Sequence, residues 1–371
     1  MIGHRFAIAI AIAVVAPLAV AEPGAASAAL PPVHVVSATA DTALTDAWRS
    51  FGQQPRVGWA AGDGTYSTPL PSGLDAWLFN DTFFGPTTAD DGLPTTAKFT
   101  HNSAVLATPG GQPLVTVTAG SYGHPQSLVG PTPADPTQLN DHWFWNGDGT
   151  VDGAGLQVIE FEQQPTDTPP PFNFQWVATE IATLDPVTMR LRAQTPVPTT
   201  GNVQWGVELF HDNGFTYIYG VEGDGLTKYL HLARVPQGRL TSVSAWRYWT
   251  GTGWSADPGS STRVLGDVGS SYGVTREGDS YLLTTFGSGL ESTIHAYTAP
   301  SPTGPFTHEQ TVYTAPEAAQ GMYTYNVAAH PEISRPGELV ISYNTNDVNL
   351  SGLYADIDRN RPRFVTLRLS R

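Results

Sequence analysis

Five times along this chain an aromatic-rich run, a short turn and a strongly apolar run follow one another. The pattern reads VGWAAGDGTYSTPL, PSG, LDAWLFNDTFF from Val57, and HWFWNGDGTV, DGAG, LQVIEFEQ from His142. It returns as VQWGVELF, HDNG, FTYIYGVEG from Val203, and as SYGVTRE, GD, SYLLTTFG from Ser271. The last is YNVAAHPEI, SRPG, ELVISYNTN from Tyr325. Turn residues set between alternating runs are hairpin chemistry, because Gly, Asn and Asp accept the backbone angles that a tight reversal needs.

One or two further strand candidates follow most hairpins: SAVLAT with PLVTVT, VATEIATL with TMRLRAQ, TKYLHLARV with LTSVSAWRYW, and STIHAYTA with EQTVYTA. Four strands per unit over five units gives about 69 residues each, longer than the shortest propeller repeats. The last unit is short, with only RFVTLRLS after its hairpin, and the N-terminal VHVVSATA can supply the missing strand. The expected fold is all-β: a single five-bladed β-propeller with four-stranded blades, its ring closed by the N-terminal strand. Irregular loops are expected at TPADPTQLND and QQPTDTPPPFN. A large β-sandwich is the competing architecture.

Composition narrows the setting. Arg5 precedes an apolar run from Phe6, and Ala26-Ser27-Ala28 offers a small-residue cleavage site, so residues 1–28 read as a signal peptide and 29–371 as the propeller catalytic domain. No second apolar stretch is long enough to span a bilayer, and a secreted, extracellular protein is expected. With no cysteine in the chain, the fold rests on its core, which about 340 residues supply amply. The net charge of −15 disfavours nucleic acid and anionic membranes, whose phosphates need clustered Lys and Arg. Fifteen Phe, fourteen Tyr and ten Trp instead suit carbohydrate, whose rings present flat apolar faces. A polysaccharide substrate, a monomer, no cofactor and no metal are the expectations.

In a propeller the first strand of each blade lines the channel, so the hairpin starts should share one rim. Trp59 to Asp63, Trp143 to Asn146, Gln204 and Trp205, Tyr272, and Tyr325 with Asn326 fall there. The second-strand ends return Asp81, Glu162, Glu222, Asn344 and Asn346 to it. No HExxH, nucleophile elbow or phosphate loop occurs. What remains is Asp63 and Asp81, at equal distances in sequence from Ser72 in the first turn. Opposite residues on paired strands face the same way, and two close carboxylates cannot both ionise comfortably. An acid and a base, or an acid and a nucleophile, are the equipment for glycosidic cleavage. A bulge at Gly62 or Gly64 would shift that register.

The strings GDGTYSTPLPSGLDAWLFNDTFFG, THNSAVL from Thr100, YNVAAHPEIS and LVISYNTN resemble a family of secreted endo-D-arabinanases, glycoside hydrolase family 183, formerly a domain of unknown function. The resemblance covers most of the chain beyond residue 28 and is strong in the first hairpin, the HNS segment and the last blade. It implies a five-bladed propeller that cleaves α-D-arabinofuranosyl linkages in mycobacterial arabinogalactan and lipoarabinomannan. The family's paired aspartates fall on Asp63 and Asp81, although Asn80-Asp81-Thr82 stands where the family more often has Gly-Asp-Thr.

Asp81, after the apolar strand, reads as the more desolvated and hence the acid; Asp63, between glycines, as base or nucleophile. Glu162 or Glu222 can serve as a third acidic residue. Trp59, Trp145 and Trp205 are candidates to stack on sugars, and His101, Asn102, Tyr325, Asn326, Asn344 and Asn346 to contact substrate. His330 reads as packing. Two other functions remain open: a non-catalytic carbohydrate-binding propeller, and a hydrolase of L-arabinan or another furanoside.

Overall fold

The first hairpin folds as two ladders in one register rather than as one long pair. In the computed structural model, which describes residues 32–53, 56–121, 123–131, 142–169, 172–347 and 349–370, Trp59–Gly62 pairs with Thr82–Phe84 and Lys98–Thr100 in a small sheet. Tyr66–Pro69 pairs with Asp75–Phe79, then Ser103–Ala107 and Pro113–Val117, as sheet I. The break falls at Gly64 and Thr65, both with positive φ (+91° and +53°). The leader and the loop TPADPTQLND lie outside the described residues.

Each later hairpin opens its own sheet. Sheet II runs Trp143–Asp152, Gly155–Pro165, Phe174–Leu184, Leu191–Val197. Sheet III begins Val203–Asp212, Phe215–Asp224, Thr227–Pro236 and ends on the short strands Arg247–Trp249 and Trp254–Ser255, with Leu265–Gly266 also on its third strand. Asn213 and Gly214 turn its hairpin with φ of +48° and +77°, the twist that a two-residue reversal needs. Sheet IV is Tyr272–Glu277, Ser280–Phe286, Thr293–Ala299, Thr307–Thr314. Sheet V is Tyr323–His330, Glu338–Asn346, Arg363–Ser370, completed by His34–Ala40 on its outer edge, antiparallel to Arg363–Ser370. The expected strand LTSVSAWRYW is shorter: Val243–Ala245 forms a 3-10 turn, and only Arg247–Trp249 pairs.

The first strands lie against one another in chain order, from sheet I to sheet V, and that of sheet V contacts that of sheet I. Their approach is close. A Cβ on Gly273 would lie 2.3 Å from Ala329 Cβ in the neighbouring sheet, and one on Gly206 2.4 Å from Ile159. Between the sheets the apolar faces form separate cores, such as Leu78, Phe144, Val158 and Leu184 between I and II, and Leu282, Val327, Ile341 and Val365 between IV and V. No helix among the described residues is long and apolar enough to cross a membrane.

The sequence reading missed the helix Thr42–Gly52. Asp41 caps it by accepting from the Leu44 backbone N–H at 3.0 Å, and Leu44, Trp48 and Gly52 form its buried stripe. Trp48 meets Phe51, Trp59, Trp77, Phe79 and Phe364 with ring centroids 5.1–6.3 Å apart. One side chain thus joins the helix to the first hairpin and to Arg363–Ser370 of sheet V. Trp48→Ala should destabilise the protein by about 3–5 kcal/mol, measurable as a lower midpoint in urea unfolding.

Candidate active site

The two ladders of the first hairpin bring the aspartates together. Gly62 is opposite Thr82, so one further step places Asp63 opposite Asp81. The Asn80 N–H donates to the Asp63 carbonyl at 2.7 Å, holding the two segments together across the break. Gly64 gives its N–H to Asn344 Oδ1 at 3.1 Å, and Asn344 Nδ2 donates to Thr65 Oγ1 at 2.9 Å. Asn344 is therefore a buried brace that fixes the kink from sheet V, not a substrate contact.

The environments of the two carboxyls differ. Asp63 Oδ2 accepts from the Tyr325 hydroxyl at 2.6 Å, and that hydroxyl accepts from Asn346 Nδ2 at 3.2 Å. Asp63 Oδ1 is buried with no hydrogen-bond partner. Burial, then the neighbouring Asp81 charge, pushes the Asp63 carboxyl up to about 7, against the pull of Tyr325 in the other direction. Asp81 is a third exposed, and its Oδ1 lies 2.9 Å from His101 Nδ1 and accepts from Trp145 Nε1 at 2.8 Å. The sequence reading expected Asp81 to be the more desolvated, but it is Asp63 whose Oδ1 is buried unpaired and whose Oδ2 is bonded to Tyr325.

Several expected contacts turn out to be structural. Trp59 is 1% exposed and lies in the Trp48 cluster. Trp205 is 0% exposed, packed on Tyr248 at 5.2 Å. Neither can reach a sugar. Asn102, also buried, donates to the Val129 and Phe144 carbonyls at 2.7 and 3.0 Å and accepts from Val129 N, stitching a loop to sheet II. Asn326 is half-buried at φ +53°, in the register shift between Tyr325 and Ala328. His330 packs on Trp77 at 4.6 Å, as read from the sequence.

Of the two candidate third acids, Glu222 is held by Arg263 at 2.7 and 2.8 Å and by His231 at 2.9 Å, which lower its carboxyl to about 2. Glu162 is bonded to His142 at 2.7 Å. Glu160 carries no signal of its own in the chain, since alternation in VIEFEQ marks it as no different from Glu162. It is 0% exposed with neither oxygen paired, and burial, then Glu180 beside it, raises its carboxyl well above the usual range. It lies opposite Asn146, whose N–H donates to Asn80 Oδ1 at 2.6 Å and whose Nδ2 donates to the Phe79 carbonyl at 2.8 Å. Asn80 and Asn146 thus anchor the strand end that carries Asp81.

At the other ends of the first strands a cavity of about 530 Å3 is lined by Asp148, Glu208, Thr275 and Glu332, among others. Its carboxylates tie sheets together: Asp148 accepts from Leu209 N at 2.7 Å, and Glu208 from Val274 N at 3.0 Å. Among the described residues no group of three or more His, Asp or Glu is arranged to hold a metal ion.

This fold is shared with solved enzymes of the propeller type that act on glycosides. A xylan β-1,4-xylosidase from Bacillus halodurans superposes with a TM-score of 0.50 at 9% identity, over 85% of this chain and 54% of that one. A candidate hydrolase from Bacteroides ovatus is more similar, with a TM-score of 0.70 at 22% identity, over 87% of this chain and 89% of that one. The chain itself belongs to the family described as a domain of unknown function, DUF5005, whose profile matches residues 45–369. No curated protein matches it in sequence.

A raised carboxyl has a thermodynamic consequence. Asp63 holds its proton more tightly folded than unfolded, so its contribution to stability is fully present below about pH 4 and is lost as pH rises through about 7. Asp63→Asn removes that loss. Thermal melts should show the variant gaining stability relative to wild type at pH 8 and not at pH 4.

Proposed function

We propose that this protein is a secreted glycoside hydrolase that cleaves arabinofuranosyl linkages, acting within D-arabinan through Asp63 and Asp81. The observation that carries the reading is the asymmetry of two close carboxyls: burial pushes Asp63 up to about 7, while Asp81 is a third exposed and bonded to His101 and Trp145. Asp63 protonates the departing oxygen, reversing the assignment read from the sequence. Asp81 is the carboxylate that faces the positive charge developing at the anomeric carbon. His101 and Trp145 hold Asp81 in place, while Tyr325, backed by Asn346, holds Asp63.

The scaffold reads as a five-bladed propeller. Sheets I to V are the blades, the contact of the first strands of V and I joins the ends of the ring, and His34–Ala40 on Arg363–Ser370 fastens it. The protein works as a monomer outside the cell. D-arabinan is favoured over other furanosides by the resemblance in the first hairpin, the HNS segment and the last blade.

Asp63→Asn and Asp81→Asn should each lower the rate of oligosaccharide release from D-arabinan by about 10²–10⁴-fold, scored beside L-arabinan and synthetic arabinofuranosides. Full activity in either variant would refute the assignment. Wild-type protein that binds the polymer but releases nothing is a binding module instead.

Because the protonated form of Asp63 is the active one, kcat/KM should fall as pH rises through about 7. Tyr325→Phe removes the hydrogen bond that pulls the Asp63 carboxyl down, so that limb should move to higher pH. A shift to lower pH would return the acid role to Asp81.

A further inference from the structure

Ten large hydrophobic side chains are exposed among the described residues, and two of them are aromatic: Phe99 at 40% and Phe172 at 49%. Both are linked to the aspartate pair, by different routes. Phe99 meets His101 edge-on at 5.0 Å, and His101 is bonded to Asp81. Phe172 meets Tyr323 at 5.9 Å. Tyr323 is the strand partner of Asn346, whose amide donates to Tyr325, which in turn donates to Asp63.

Neither Phe ring is covered by a stacked partner. Phe99 touches Phe83 and His101 at interplanar angles of 62° and 89°, and Phe172 is tilted 53° from Tyr323. The other eight exposed apolar side chains are aliphatic, and scattered exposed aliphatics are ordinary. Exposed aromatics linked by contacts to a pair of close carboxyls are not, since each leaves a large apolar face in water.

We infer that Phe99 and Phe172 are sugar-binding platforms, one linked to each aspartate, so that together they hold an interior stretch of a furanose polysaccharide at the pair. This rests on the glycosidase reading above and adds two binding positions to it. A C–H-rich sugar face laid on Phe99 leads toward Asp81, and one laid on Phe172 leads toward Asp63. A chain that touches both rings passes over the pair.

The test is affinity electrophoresis of the Asp63→Asn protein in gels containing D-arabinan. Adding Phe99→Ala or Phe172→Ala should weaken retention about 3- to 10-fold each, the range expected for losing one aromatic contact. Leu226→Ala, at an 84% exposed position, should leave retention unchanged. In the active enzyme, the same two Phe variants should raise KM for the polymer more than KM for a p-nitrophenyl arabinofuranoside.

Retention unaffected by both Phe variants, no retention of the parent, or an equal rise in KM for polymer and short glycoside would each overturn the two-platform assignment. Failure of the catalytic reading is recognised separately: an Asp63→Asn protein that still cleaves at the wild-type rate removes the acid, whatever the gels show.

Discussion

Neighbouring sheets in this fold share no ladder, so their inner strands must be held together by contacts that a β-sheet does not supply. The structure meets this constraint with side chains that bond backbone in the next sheet. Thr68 donates to the Gly149 carbonyl at 2.8 Å, Asp148 accepts from Leu209 N, and Glu208 accepts from Val274 N. Asp212 binds Arg276 at 2.6 Å and Tyr281 at 2.8 Å, and Ser67 reaches His330 at 2.5 Å. Acidic groups are well suited to the task, because a carboxylate can accept from backbone N–H groups that would otherwise be buried unpaired. The cost is crowding of like charge: burial pushes Asp148 up to about 7, and burial with Asp148 raises Glu208 well above its ordinary range.

The aspartate pair uses the same crowding at the opposite ends of the strands. There the break in the first hairpin frees Asp63 and Asp81 from ladder pairing, and three sheets contribute to their surroundings. Sheet V provides Tyr325, Asn344 and Asn346; sheet II provides Trp145 and Asn146; His101 lies between Lys98–Thr100 of the small sheet and the third strand of sheet I. Asymmetry comes from the donors. Asp63 has one side-chain donor and an unpaired buried oxygen, while Asp81 accepts from Trp145, lies beside His101 Nδ1 and has water access.

Much of this was legible in the chain. Hairpin turns such as Asn213-Gly214 have a local cause, and so does the alternation of the strands beside them. The pairing of Asp63 with Asp81 follows from a constant register through the Pro71-Ser72-Gly73 turn. What could not be read was depth. Trp59, Trp145 and Trp205 look alike in sequence, each near a strand start, yet Trp59 and Trp205 are core and only Trp145 touches an aspartate. The surroundings of Asp63 were illegible for the same reason, since Tyr325 lies 262 positions away from it. The helix Thr42–Gly52 was legible and overlooked: Asp41 before Leu44 and Trp48 is a cap followed by a helical stripe.

The pairing of His34–Ala40 with Arg363–Ser370 also orders events in time. The outermost strand of the last sheet is made before the other described strands, so it has no partner until Arg363–Ser370 exists. Contacts so distant in sequence slow folding and leave strand edges open meanwhile. A chain that emerges N-terminus first would therefore stay incomplete until its final strand is delivered. Shortened products ending before Arg363 would lack the partner of their own first strand, making them ready targets for proteolysis rather than partly active enzymes.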